Sequence, residues 1–292
     1  MMQRTRAVKA LIVAIVVCFA GVAAAAQFVR QAPFGFDRGQ EVIPTFDGWV
    51  RNPNGSYSLY FGYLNRNAAE SLVIAVGPEN EVTPGTDRGQ PTYFYPAAIL
   101  NQGDRDVVGR RRWWVFKVDV PSSWTVKESF TWTIVSRGKT NRAVGSLLPE
   151  YEVTNDFIRE NAADPFLFSR GAFDAMNLPP AISITGPQSV ALTAAAPLVA
   201  SITDDDRPEL AASARRAAQR GVRVRWMTYR GPAPVTFSAD TETSGAQKTH
   251  EIATAARFSA PGSYRIRAIV SDGQLFSSHD VDVTVTAAAT QR

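Results

Sequence analysis

Cysteine is all but missing from this chain. Its single copy, Cys18, sits in an apolar leading segment, so the rest of the 292 residues can form no disulfide. An exported chain without that staple must be held by core burial alone. Histidine is nearly as scarce, with only His250 and His279 present. A zinc centre would have to be completed by carboxylates, and no His-Glu-x-x-His spacing exists. No Gly-x-Ser-x-Gly elbow and no glycine-rich phosphate loop occurs. Counting residues does not remove a Ser-His-Asp arrangement, but the two histidines read as ordinary strand positions. The expectation is a protein that is not an enzyme.

Strong charge of one sign is also lacking. Arg4, Arg6 and Lys9 account for three of the 31 basic residues, and no acidic residue lies in residues 1–26. Without that segment 28 basic residues face 27 acidic ones, and the net charge falls from +4 to +1. The chain therefore has no electrostatic footprint for nucleic acid. Residues 1–26 themselves read as a signal peptide. A basic start precedes an apolar run from Ala10, and Ala24-Ala25-Ala26 offers a cleavage site before Gln27. The apolar stretch is at the short limit for a spanning helix, so membrane contact is expected only if the segment stays uncleaved. Cys18 follows Val17, where a lipid-modified cysteine needs a small residue before it. The expected location is exported: periplasm, cell surface or outside the cell.

What is present is strand signal. In Tyr57–Leu64 the residues Tyr57, Leu59, Phe61 and Tyr63 share one face, and a turn-forming Asn52-Pro53-Asn54-Gly55 precedes them. This reads as the central strand of a sandwich. Around it, strands are expected near 41–43, 46–50, 71–76, 92–95, 113–120, 130–134 and 141–146. The run 71–76 has the length of a strand buried on both faces, and Glu79–Pro91 and Asn101–Arg112 read as loops. In 113–120 Trp114, Phe116, Val118 and Val120 share a face. Residues 151–180 change character and end in the stiff Asn177-Leu178-Pro179-Pro180, with Phe166, Phe168 and Phe173 expected to pack onto a domain. Seven more strands are expected in 181–292. Pro208 through Arg220, closed by Gly221, carries the signature of one inserted helix. The reading is all-β: two tandem antiparallel β-sandwich domains, 27–150 and 181–292, joined by a linker at 151–180, with one short helix in the second.

The segment Phe258-Ser-Ala-Pro-Gly-Ser-Tyr264-Arg-Ile-Arg-Ala-Ile-Val-Ser-Asp-Gly273, followed by Val281–Val285, resembles the last two strands of an immunoglobulin-like domain; bacterial PKD-type and cadherin-like modules are similar. The resemblance implies a tyrosine corner at Tyr264 and a core tryptophan at Trp226, and the usual cysteine pair is absent. It implies a fold, not an activity. Gly62–Asn67 and Asp87–Thr92 resemble a block found in exported bacterial proteins of unassigned function.

Three groups of residues stand out as candidate sites. Tyr60 and Trp113 fall on the non-core side of their strands, and Tyr93 and Tyr95 flank a short strand beside the long loop. Together they could stack sugar rings; the alternative is that the linker phenylalanines or the second domain cover them. Arg223, Arg225, Arg265 and Arg267 alternate with core residues on two neighbouring strands. They form either a docking face for an acidic partner or glycan, or a salt-bridged surface in which a tight turn sets Arg265 opposite Asp280. Asp204, Asp205 and Asp206 could take calcium with help from Asp240 or Asp272, or could be a solvated loop; otherwise no cofactor is expected. The function read from all this is an exported non-enzymatic binding or structural module with an unknown protein or glycan partner. The alternative is a carbohydrate-binding protein.

Overall fold

A computed structural model describes residues 36–96, 98–102, 105–109, 111–154, 176–207, 222–239, 241–243, 248–272 and 275–287. The side chains of 98–102, 105–109 and 241–243 fall outside that description. So do residues 1–35, where the signal peptide is expected, Phe166, Phe168, Phe173, Asp240 and the expected helix at 208–220.

The first half contains β1 (Val42–Arg51), β2 (Tyr57–Asn65), β3 (Leu72–Val73), β4 (Asn80–Thr83), β5 (Tyr93–Phe94), β6 (Ala98–Gln102), β7 (Arg105–Gly109), β8 (Arg111–Val120), β9 (Ser129–Ser136) and β10 (Lys139–Ser146). A 3-10 turn, Pro149–Tyr151, follows. The second half contains β11 (Ala181–Thr185), β12 (Ser189–Ala191), β13 (Ala196–Thr203), β14 (Arg223–Arg230), β15 (Val235–Phe237), β16 (Thr241–Thr243), β17 (Thr249–Phe258), β18 (Gly262–Ser271) and β19 (Phe276–Thr286). Sheets β1-β2-β8 and β10-β9-β4 form the first sandwich, with the small ladders β3-β5 and β6-β7 beside them. Sheets β11-β13-β17-β15 and β12-β19-β18-β14-β16 form the second. The architecture is all-β, and the ladders are antiparallel except for the three-residue parallel pairing of β12 with β19. Among the described residues no helix is long and apolar enough to cross a membrane.

Alternation explains the core. Leu59, Phe61 and Tyr63 of the central strand β2 are sealed from water. They join Phe116 and Val118 of β8 and meet Val82, Phe130, Trp132 and Ile134 from the facing sheet. The Phe116 and Trp132 rings meet edge to face at 4.8 Å, the geometry aromatic quadrupoles prefer. In the second sandwich Leu198, Ile202, Ile252 and Phe258 pack against Trp226, Ile266, Val270 and Val283. The Tyr264 hydroxyl donates to the Ala260 carbonyl at 2.8 Å, which is the tyrosine corner expected of it, and Trp226 is buried.

Several local expectations need correction. Only Leu72–Val73 of the run 71–76 is strand, and Val73 is exposed, because this ladder is an edge pair with β5. The expected loop 79–91 opens with β4, which pairs with β9, and 101–112 is mostly strand in β6, β7 and β8. The turn after β18 occupies four residues, closed by Asp272 and Leu275. Arg265 therefore faces Asp282, and Arg267 faces Asp280. A shift of two residues changes the partners but leaves every side chain on its expected face.

The first sandwich also contains a bulge. Phe61 faces Phe116 and Tyr63 faces Arg112, so Trp113, Trp114 and Val115 all lie opposite Gly62. Trp114 adopts φ 50 there. The buried Asp47 carboxylate holds the bulge by accepting the Trp114 amide at 2.7 Å, a bond from the Thr45 hydroxyl and a charged bond from Arg111. Burial pushes the Asp47 carboxyl up, against the pull of Arg111. A Cβ on Gly62 would meet the Arg112 carbonyl at 2.2 Å and Asp47 Oδ2 at 2.4 Å. Neither can withdraw without unpairing a buried group. Gly62→Ala should therefore lower the unfolding free energy by about 1–3 kcal/mol in denaturant titration, the usual cost of overpacking. An unchanged midpoint would contradict this account of the bulge.

Candidate functional site

Two of the four aromatic candidates, Tyr93 and Tyr95, and one arginine, Arg267, converge on the junction between the sandwiches. The junction begins with Asn80, which is fully buried on β4. Its side-chain amide donates to the carbonyls of Ile74 at 2.9 Å and Pro91 at 2.8 Å, and its oxygen accepts the indole N–H of Trp132 at 2.9 Å. Gln90, also fully buried, donates to the carbonyls of Asn80 and Thr86 and accepts the Arg88 amide. The segment 84–92 is thus anchored from within the first sandwich by Asn80 and Gln90. What it turns outward is a carboxylate, Asp87, and the carbonyls of Gly89 and Gln90.

The second sandwich answers with the end of β14. The Arg230 guanidinium grips Asp87 with two bonds, 2.7 and 2.9 Å, and its Nε donates to the Gln90 carbonyl at 2.8 Å. This planar two-point grip suits arginine and not lysine. The Tyr229 hydroxyl donates to the Gly89 carbonyl at 2.5 Å. Backbone joins backbone where the Thr92 amide donates to the Tyr229 carbonyl at 3.1 Å, and the Gly231 amide donates to the Thr92 hydroxyl at 3.1 Å. The Tyr95 hydroxyl accepts the Thr228 amide at 2.7 Å. The register of β14 on β18 shifts between Thr228 and Arg230, so a bulge at Tyr229 places both Tyr229 and Arg230 at the junction. Beneath them Arg267 lies 3.5 Å from the Tyr229 ring centroid, pairs with Asp280, and donates to the Val115 carbonyl of the first sandwich at 2.6 Å. Burial pushes the Tyr95 and Tyr229 hydroxyls up to about 12, so both stay neutral hydrogen-bonding groups. The hydrogen bonds from Arg230 hold the Asp87 carboxyl down at about 2, against desolvation.

The expected sites fall as follows. Tyr93 is buried and Tyr95 half-buried, their rings 4.8 Å apart, so they are covered by the second sandwich and are not open to a sugar. Tyr60 is half-buried beside Lys117 and Asp119, and burial raises its hydroxyl. Trp113 remains 39% exposed, with the Arg111 guanidinium 3.5 Å from its ring centroid. Arg223 and Arg225 are half-buried on β14. Arg265 is clasped by Asp282 through two bonds at 2.7 and 2.9 Å. The arginine face therefore meets the chain's own first sandwich at Arg267 and its own carboxylates on β19. His250 is buried on β17 and His279 exposed on β19, in different sheets.

The three aspartates do not act as one cluster. The Asp205 carboxylate accepts the amides of Leu178 and Arg207, and Asp206, at φ 64, gives its amide to Asp204. Asp204 alone is buried, and burial, reinforced by the nearby carboxylates of Asp272, Asp205 and Asp206, pushes its carboxyl up to about 6. Among the described residues no three His, Cys, Asp or Glu side chains form a metal-binding group.

Sequence reading missed Asn80, Gln90, Asp87, Tyr229 and Arg230 as a unit. The one available signal was the Asp87–Thr92 block, whose meaning depends on a partner 143 positions away.

Two predictions follow from the junction. Asp87 is held below its ordinary 3.8, so its stabilising contribution is present above about pH 4 and is lost as pH falls toward 2. Its side chain is half exposed, which limits the pair to below about 1 kcal/mol. The stability gap between the native chain and Asp87→Asn should thus be visible at neutral pH and close toward about pH 2. A gap that persists in acid would refute the pairing. Tyr95→Phe leaves the Thr228 amide without its acceptor and should cost about 1–3 kcal/mol in denaturant unfolding.

No protein-family model matches the chain, and no curated protein matches it. Among solved structures the chain is similar to the D00–D0 domain of intimin, with 8% identity, 84% of this chain and 100% of that chain covered, and a TM-score of 0.27. It is similar to the titin Ig tandem domains A164–A165, with 8% identity, coverages of 85% and 100%, and a TM-score of 0.22. It is also similar to the CARDB domain of the PF1109 protein from Pyrococcus furiosus, with 15% identity, coverages of 40% and 100%, and a TM-score of 0.25. At TM-scores this low the likeness carries no argument.

Proposed function

We propose that this chain is an exported, non-enzymatic structural module of the periplasm or cell surface, in which two sandwiches work as one stiff unit. The observation that supports it most is the junction itself. Polar groups that an open binding surface would present, Asp87, Tyr95, Tyr229, Arg230 and Arg267, are spent on each other across the two halves. A stiff pair of sandwiches transmits force and holds outward surfaces at a fixed spacing, and both are mechanical roles. The separation of His250 and His279 into different sheets speaks against their joint use in catalysis. The basic, apolar, alanine-rich leader supports export. The partner is a protein or glycan that meets the outer surfaces. A carbohydrate-binding role would rest on Trp113 and Tyr60, since Tyr93 and Tyr95 are turned inward.

Small-angle X-ray scattering of the chain lacking residues 1–26 tests stiffness. The native protein should give one narrow inter-domain distance distribution. A chain carrying Arg230→Ala and Tyr95→Phe together should give a broader and longer one, with both sandwiches still folded by circular dichroism. A native chain already as broad as the double variant would overturn the proposal.

A further inference from the structure

At one end of the second sandwich three oxygen-bearing side chains are brought together from three separate segments. Asn177 lies where the chain enters that sandwich, Asp204 follows β13, and Asp272 follows β18. Asn177 is 1% exposed, Asp204 8% and Asp272 8%. The Asn177 side-chain amide donates to Asp272 Oδ2 at 2.9 Å, which fixes the orientation of its other end. That end, Asn177 Oδ1, is buried and accepts no hydrogen bond, and the same holds for Asp204 Oδ1. The other Asp204 oxygen accepts the Asp206 amide at 3.0 Å, and Asp272 Oδ1 accepts the Leu275 amide at 2.7 Å, so both carboxylates are held in place. Two buried acceptor oxygens with nothing donating to them are costly, and two buried carboxylates close enough to repel one another add to the cost.

We propose that Asn177, Asp204 and Asp272 form a site for a hard divalent cation of the calcium class. Such an ion takes carboxylate and amide oxygens together, completes its shell with backbone carbonyls and water, and answers both unpartnered oxygens at once. The ligand set differs from the Asp204–Asp206 run, because the Asp205 carboxylate is already taken by the amides of Leu178 and Arg207. The ion would bind at the point where the chain enters the second sandwich and would pin Asn177 to the ends of both sheets. Its chemistry is independent of the junction at Asp87 and Arg230. With two carboxylates the affinity should fall in the range of extracellular modules, about 10⁻⁴–10⁻³ M.

The test uses the chain lacking residues 1–26, stripped with chelator, with calcium chloride as the probe and magnesium chloride as the comparison. Calorimetry should report one calcium bound per chain, and saturating calcium should raise the melting temperature by about 5 °C. Magnesium should do much less. Asp272→Asn should abolish the response, whereas Asp205→Asn should keep it. Should Asp272→Asn fail to fold, Asn177→Asp decides. A third carboxylate there should lower the melting temperature in chelator and tighten calcium binding, so that calcium restores it. A purely structural amide would predict the first effect without the rescue. The proposal is overturned by no binding heat and no thermal shift in the native chain, by a response lost in Asp205→Asn but kept in Asp272→Asn, or by Asn177→Asp that calcium does not rescue.

Discussion

The carboxamide of Asn80 has no water to turn to, and much of the structure follows from how it is satisfied. Its two donors and its acceptor are distributed among Ile74, Pro91 and Trp132, which lie on three separate segments of the first sandwich. An unmade bond in such a place costs far more than the net gain of a made one, so the arrangement specifies a single geometry. The segment that carries Asp87, Gly89 and Gln90 is thereby held in the shape that Arg230 and Tyr229 grip. A flexible segment would lose ordering entropy on docking; this one has already been ordered by the first sandwich's own core.

The junction works because both sides are pre-arranged by bulges and buried polar groups. On the first sandwich the Asp47 carboxylate fixes the bulge at Trp114, and the carbonyl of Val115 beside it receives Arg267. On the second, the irregularity at Tyr229 turns Tyr229 and Arg230 to the same side. Arg267 sits between Tyr229 and Asp280, so its charge is compensated before the first sandwich meets it. The junction is polar, directional and lined by neutral tyrosines.

Much of the fold was legible in the sequence, and the reason is local. Alternation places Leu59, Phe61 and Tyr63 in one core and Ile266, Ala268 and Val270 in the other, because side-chain period two is a property of the strand itself. Tyr264 was legible through the immunoglobulin-like resemblance of 258–273, and its hydrogen bond reaches only four residues back. What failed was long-range or depended on turn length. A four-residue turn moved the partner of Arg265 from Asp280 to Asp282. Strand β4 was hidden in a polar stretch, because its pairing with β9 and the burial of Asn80 come from tertiary context. Tyr93 and Tyr95 looked exposed because one strand's alternation says nothing of a second body lying over it. Asp204 stood out as part of an acidic run, but its neighbours in space, Asn177 and Asp272, are distant in sequence.

The central claim is that two sandwiches with no disulfide between them share one ordered junction. Native-state hydrogen exchange at the amides of Thr92, Thr228 and Gly231 tests it most directly, since each donates across or beside that junction. Protection comparable to that of the core amides of β2 and β18, lost together in all three when Arg230 is replaced by alanine, is the predicted result. Exchange at open-loop rates in the native chain would contradict the account.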